Sequence, residues 1–164
     1  VMLLMTVTVI VFLVLFIIMP KQLSTLEMYT TSLFAICLGL SADLFLDLKY
    51  HLYGYFDPGV DGPAYLFMIS VYAIVNLLFL NIYPLRQPVW KQAAYIGGWS
   101  LFSVLYEIAA LRTGLLYYRG WKLSYSAALY PLLFLILLIH FLLVRRLAAK
   151  AERRFDRKTD GRTV

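Results

Sequence analysis

Cysteine is almost absent from the 164-residue sequence. Cys37 stands alone, so no intramolecular disulfide can form and no thiolate-based metal centre can be built. Charge is sparse as well: Asp, Glu, Lys and Arg make up 15% of the residues, against about 25% in ordinary soluble domains. Familiar catalytic and nucleotide-binding signatures are also missing. The sequence has no Gly-x-Ser-x-Gly, no Walker loop, no His-Glu-x-x-His and no Cys-x-x-Cys.

Apolar residues fill the space instead. They make 62% of the chain, where about 45–50% is usual, and the mean hydropathy is +0.78. Five membrane-spanning helices of about 20 residues would consume about 100 residues, close to that apolar content. This composition excludes a soluble enzyme, a disordered chain and a nucleic-acid-binding domain. It predicts an all-α polytopic transmembrane bundle.

The expected spans are about 1–19, 26–48, 64–83, 89–111 and 124–144, each too long and too uniformly apolar for a barrel strand. The first has no basic leader and no small-residue cleavage signal, which predicts a retained span rather than a signal peptide. Residues 145–164 form a basic tail. The net charge of +6 resides largely there, in Arg145, Arg146, Lys150, Arg153, Arg154, Arg157, Lys158 and Arg162. Such a cluster beside a span marks the cytoplasmic side and attracts anionic headgroups. With the C-terminus inside, the inner segments hold these eight residues plus Lys21, Arg86 and Lys91, and the outer segments hold Lys49, Arg112, Arg119 and Lys122. The count of 11 against 4 predicts an outside N-terminus and a multi-pass protein of a bacterial cytoplasmic membrane.

That topology gives meaning to the acids. Asp43 lies six residues before Lys49, and Glu107 five before Arg112; at about 1.5 Å per residue, both sit about 7–9 Å below the outer interface. Asp43, Asp47 and Glu107 thus share one depth on two helices, and intramembrane carboxylates normally face the bundle interior or a wet cavity. Ala35, Gly39, Asp43 and Asp47 form a track at four-residue intervals on the second helix, and Ser100, Ser103 and Glu107 form a polar stripe on the fourth. Small residues let helix backbones approach, so the two acid-bearing faces are expected to meet, with Glu107 within about 6 Å of Asp43 or Asp47.

Carboxylates at i and i+4 near a helix C-terminus repel each other and oppose the helix dipole. Compensation is expected from Lys49, His51, Arg112, Arg119 or Lys122, from a proton, or from a divalent cation held by Asp43, Asp47, His51 and Glu107. Around them the flanking segments carry Tyr50, Tyr53, Tyr55, Phe56, Tyr65, Tyr117, Tyr118, Trp121 and Tyr125, read either as an interfacial aromatic belt or as a lid on the acids. Asp57 and Asp61 belong to an expected Gly/Pro turn. Asn76 and Asn81 are expected to hydrogen-bond between helices. The segments 44–56 and 106–121 share an order of acid, base, then aromatics with Gly, as a duplicated helix pair would.

The stretches LEMYTTSLFA (26–35), DLFLDLKYHLYGYF (43–56), the segment around Glu107 and GWKLSYSAALYP (120–131) together resemble a family of small multi-span membrane proteins of Gram-positive spore-forming bacteria. The resemblance implies a bacterial cytoplasmic membrane location and carries no activity or catalytic residue with it.

The resulting expectation is a small membrane protein with an outward-facing acidic pocket lined by Asp43, Asp47 and Glu107, with Ser103 and Arg112 beside it. It would bind a cation, a proton or a polar or cationic headgroup, as a carrier or an accessory subunit. The bundle is small for alternating access, so transport would call for a homo-oligomer or a membrane-protein partner. Two rival classes remain: an assembly protein whose acids sit in ion pairs, and an intramembrane lipid-modifying enzyme.

Overall fold

A computed structural model of the protein describes residues 2–55 and 62–160. Within them lie five α-helices: α1 (Met2–Ile18), α2 (Thr25–Asp43), α3 (Gly62–Asn81), α4 (Val89–Thr113) and α5 (Leu123–Asp160). A π-helical turn, Leu44–Lys49, extends α2, and two short strands, β1 (Tyr53–Tyr55) and β2 (Leu116–Tyr118), join the helix pairs. The expected turn at Asp57 and Asp61 lies outside the described residues.

Three stretches are long and apolar enough to cross a membrane: Thr25–Lys49, Val89–Thr113 and Leu123–Arg154. The first two have 25 residues each, about 37 Å at 1.5 Å per residue, which exceeds a hydrocarbon core of about 30 Å. Helix α1 and residues Tyr65–Asn81 of α3 are shorter apolar helices. Large apolar side chains such as Leu3, Leu66, Val89 and Ile139 are exposed around the outside of the bundle, a surface suited to lipid rather than water. The basic tail is not a separate element through residue 160, because α5 continues unbroken across Arg145.

Local chemistry fixes the helix ends. Ser24 Oγ accepts from the Glu27 amide at 3.2 Å while the Ser24 amide donates to Glu27 Oε2 at 2.8 Å, a reciprocal cap that satisfies two orphan donors of α2. The other face of Glu27, which is buried, receives Arg145 Nε at 2.6 Å, pinning the start of α2 to α5. Asn81 closes the α1–α2 link, accepting from the Gln22 amide and donating to the Pro20 carbonyl, both at 2.8 Å. Asn76 donates to Thr31 Oγ1 across α2 and α3 at 3.2 Å.

At the opposite end, α2 unwinds through the π turn, with the Tyr50 amide reaching back to Phe45, and stops at His51, whose φ is 50°. Helix α4 stops at Gly114 (φ 75°), a left-handed C-terminal position that glycine occupies without steric cost. The strands that follow pair antiparallel, Tyr53 with Tyr118, Gly54 with Tyr117 and Tyr55 with Leu116. The amides of Arg119, Gly120 and Trp121 converge on the Leu52 carbonyl at 2.9–3.0 Å, tying the two connections together.

Helix α2 packs chiefly on α3, and α4 on α5, with α1 set against α3. The main core lies toward the Glu27 end, where fully buried Phe79 contacts Phe134 at 4.6 Å between ring centroids and is ringed by Tyr83, Tyr95 and Trp99. A smaller cluster of Met5, Ala110, Leu115 and Leu116 lies beneath the strands.

Candidate functional site

Asp43 is the last residue of α2 and is buried. The helix places it one turn beyond Gly39, where an added Cβ would lie 2.5 Å from the ring of Tyr72. Glycine there lets the α3 tyrosine lie flat on α2, and its hydroxyl reaches Asp43 Oδ2 at 2.5 Å. The ribbon supplies the other donors: Tyr53 and Tyr55 give their hydroxyls to Oδ1 at 2.8 and 3.4 Å. Two residues apart on one strand, they share a face, and the intervening Gly54 carries the Tyr117 ring on the other.

Glu107, on α4, is built the same way. It is buried, and it accepts from Tyr118 Oη at 2.6 Å, Ser126 Oγ at 2.7 Å and Tyr130 Oη at 2.9 Å. Ser126 in turn accepts from Trp121 Nε1 at 2.7 Å. Indole can only donate, so the serine proton is directed to the carboxylate. Each acid thus lies on the helix that leads into a strand and is held by a tyrosine from that strand and a tyrosine from the next helix. Tyr53 and Tyr118 are cross-strand partners.

Burial first, then Tyr55 and the adjacent Asp43, pushes the Tyr53 phenol far above its ordinary value. Burial and Glu107 do the same for Tyr118, so both ribbon tyrosines remain hydrogen-bond donors at any physiological pH.

Both acids line one cavity of about 430 Å³ that reaches all five helices, with Phe12, Val71, Val75, Phe102 and Leu133 among its apolar walls. Ser103 also lines it, its hydroxyl turned back to the Trp99 carbonyl at 3.0 Å. Asn76 lines it too, with Oδ1 buried and without a partner among the described residues.

Several expectations need correction. The acid-bearing faces do not pack on each other. The small-residue track of α2 receives Tyr72 of α3, and Glu107 faces Ser126 and Tyr130 of α5. The acids share a cavity, but each has its own donors and none is shared. Among the described residues no three His, Cys, Asp or Glu side chains gather to hold an ion, so the set Asp43, Asp47, His51 and Glu107 is not assembled. The π turn and the left-handed His51 carry Asp47 and His51 off the cavity wall: Asp47 is half-buried, with His51 and Arg119 as the charged groups acting on it, and His51 is exposed. Arg112 is exposed and donates nothing to Glu107. The only ion pair among the described residues is Glu27–Arg145, at the other end.

The tyrosines were visible in the sequence only as belt or lid candidates. Their role was signalled by the alternation Tyr-Gly-Tyr and by the repeated acid–base–aromatic order, while Tyr72, Tyr130 and Ser126 carry no local signal. Comparison of the chain with protein-family models, with curated proteins and with solved structures gives no match.

Proposed function

We propose that this is a five-span protein of a bacterial cytoplasmic membrane, with the tyrosine-wrapped acids facing outward and α5 delivering its basic end to the cytoplasmic leaflet. There Arg146, Lys150, Arg153 and Arg154 would meet anionic headgroups. Its function is to bind the cationic headgroup of an amphiphile in the cavity beneath the ribbon, as a carrier or as the ligand-binding subunit of a larger membrane assembly.

One observation carries this reading: two buried carboxylates with no basic partner among the described residues line a single apolar cavity. An ionised carboxylate has about four acceptor sites, of which hydroxyls use three on each acid. One acceptor direction remains on each for a ligand donor. Charge attracts a cation, and the low-dielectric wall strengthens that attraction.

The test compares dodecylammonium with dodecanol by titration calorimetry on the purified protein in a neutral detergent. Preference for the ammonium, abolished in Asp43→Asn/Glu107→Gln while the fold survives, is the expected result. Equal binding of both, or an unchanged preference in the double variant, would overturn the reading.

A further inference from the structure

Asn76 is 1% exposed, and its amide orientation is set by the network around it. Thr31 Oγ1 spends its proton on the Glu27 carbonyl at 2.7 Å, so toward Asn76 it can only accept. The atom facing Thr31 is therefore Nδ2, at 3.2 Å, and Oδ1 is the atom left over. That acceptor is buried on the cavity wall with no donor among the described residues. Buried acceptors are nearly always satisfied, and the lining of the cavity is mostly apolar, Val75, Phe134 and Leu137 included.

Its position relative to the acids can be read from α2. Thr31, in contact with Asn76, stands twelve residues before Asp43, which at 1.5 Å per residue is about 18 Å along the axis. Polar recognition is thus divided between the two ends of one long apolar cavity: carboxylates at the ribbon end, a single amide oxygen at the other. A volume of about 430 Å³ lies in the range that encloses small ligands, about 300–1,000 Å³.

We infer that the ligand is recognised at both ends: an elongated amphiphile with a cationic group at Asp43 and Glu107 and a hydrogen-bond donor, a hydroxyl or an amine, that reaches Asn76 Oδ1. An alkyl chain with C–C bonds of about 1.5 Å advances about 1.25 Å per bond, so once about 3 Å is set aside for the hydrogen bond at each end, about nine carbons span the distance left between the two polar groups. A plain lipid tail ending in methyl would leave the amide oxygen without a donor. This inference rests on the cation reading above and adds the far end of the ligand.

The experiment uses the intact protein and a homologous series: nonylammonium, ω-hydroxynonylammonium, and shorter and longer members of both sets, each titrated by calorimetry. One net hydrogen bond to a buried acceptor is worth about a five- to tenfold gain in affinity. The expected result is that gain for the hydroxyl-terminated compound at the matching length, its loss in the shorter and longer homologues, and, in Asn76→Leu, equal affinity for the hydroxylated and plain ammonium compounds of that length. If the hydroxyl confers no gain at any length on the wild-type chain, Asn76 is satisfied by water alone and the two-ended inference is wrong while the cation reading stands. If no ammonium compound binds, both fail together. The ligand series on the wild-type protein decides the matter even if Asn76→Leu does not fold.

Discussion

Replacing Gly39 with alanine tests the element on which the Asp43 site depends. In an isolated helix the change is favourable, because alanine exceeds glycine by about 1 kcal/mol in propensity. In this protein the new methyl would stand 2.5 Å from Cδ2 and Cε2 of Tyr72, a distance that no repacking of the methyl can relieve, so the ring must move. Overpacking of this kind costs about 1–3 kcal/mol. Displacing the Tyr72 hydroxyl from Asp43 also forfeits a hydrogen bond to a charged group, worth about 1.5–3 kcal/mol. The expected net destabilisation is about 1.5–5 kcal/mol, read from reversible unfolding in mixed micelles followed by circular dichroism. A cycle isolates the cause. In a Tyr72→Ala background the ring is gone, so Gly39→Ala should become neutral or stabilising by about 1 kcal/mol, a coupling of about 2 kcal/mol or more between the two positions. If Gly39→Ala stabilises the otherwise unchanged chain, the close seating of Tyr72 on α2 is wrong, and with it the account of how Asp43 is held.

Other outcomes follow from the same geometry. Tyr53 and Tyr118 have phenols raised in the folded state; since the unfolded chain ionises at about pH 10, their contribution is fully present below that value and is lost as pH climbs above it. Phenolate absorbance from these residues should therefore appear only together with unfolding, and ionisation within a fully folded protein would contradict their burial. Ser24→Ala removes half of the α2 cap and should cost about 1 kcal/mol in the same micelle assay, whereas no change would mean that Arg145 alone orders Glu27. For topology, a Cys37→Ser chain carrying a single cysteine at Lys122 or at Lys150 should react with an impermeant maleimide on intact cells only at position 122; the reverse pattern would invert the proposed orientation.

The helices were legible because their cause is local: uninterrupted apolar runs closed by Pro20, by Pro84 and Pro88, and by Gly114. That Asp43 and Glu107 stand at the same end of the bundle was legible for the same reason, since helical rise is fixed. The identity of the groups opposite them was not. Periodicity placed Gly39 and Asp43 on one seam correctly, yet it could not choose between α3 and α4 as the neighbour, because partner choice depends on side chains distant in sequence, here Tyr72 and Tyr130. Opposite the acids stand no full charges among the described residues but six hydroxyl hydrogen bonds, which no helical spacing encodes. The ribbon escaped notice because three-residue strands leave almost no periodic trace. The π turn, which changes where Asp47 points, has none.

The two halves of the site correspond in a way that explains why the acids are kept apart. Helix α2, β1 and α3 supply Asp43, Tyr53 and Tyr72; helix α4, β2 and α5 supply Glu107, Tyr118 and Tyr130. The two strands pair antiparallel in one ribbon, so each half brings its own acid and its own donors to the same end. Direct contact between the carboxylates would be repulsive. Separate hydroxyl cradles on a common cavity keep both in place and leave each an acceptor direction. The correspondence is also broken in informative places. Asp43 has Tyr55 as its third donor, while Glu107 has Ser126, oriented by Trp121. Helix α1 has no counterpart: Thr8 bonds Tyr106 at 2.8 Å, and Phe12 packs near Phe102 while forming part of the cavity wall. The two acid-bearing units thus explain how the carboxylates are held, but the cavity they share is completed by the one helix that belongs to neither.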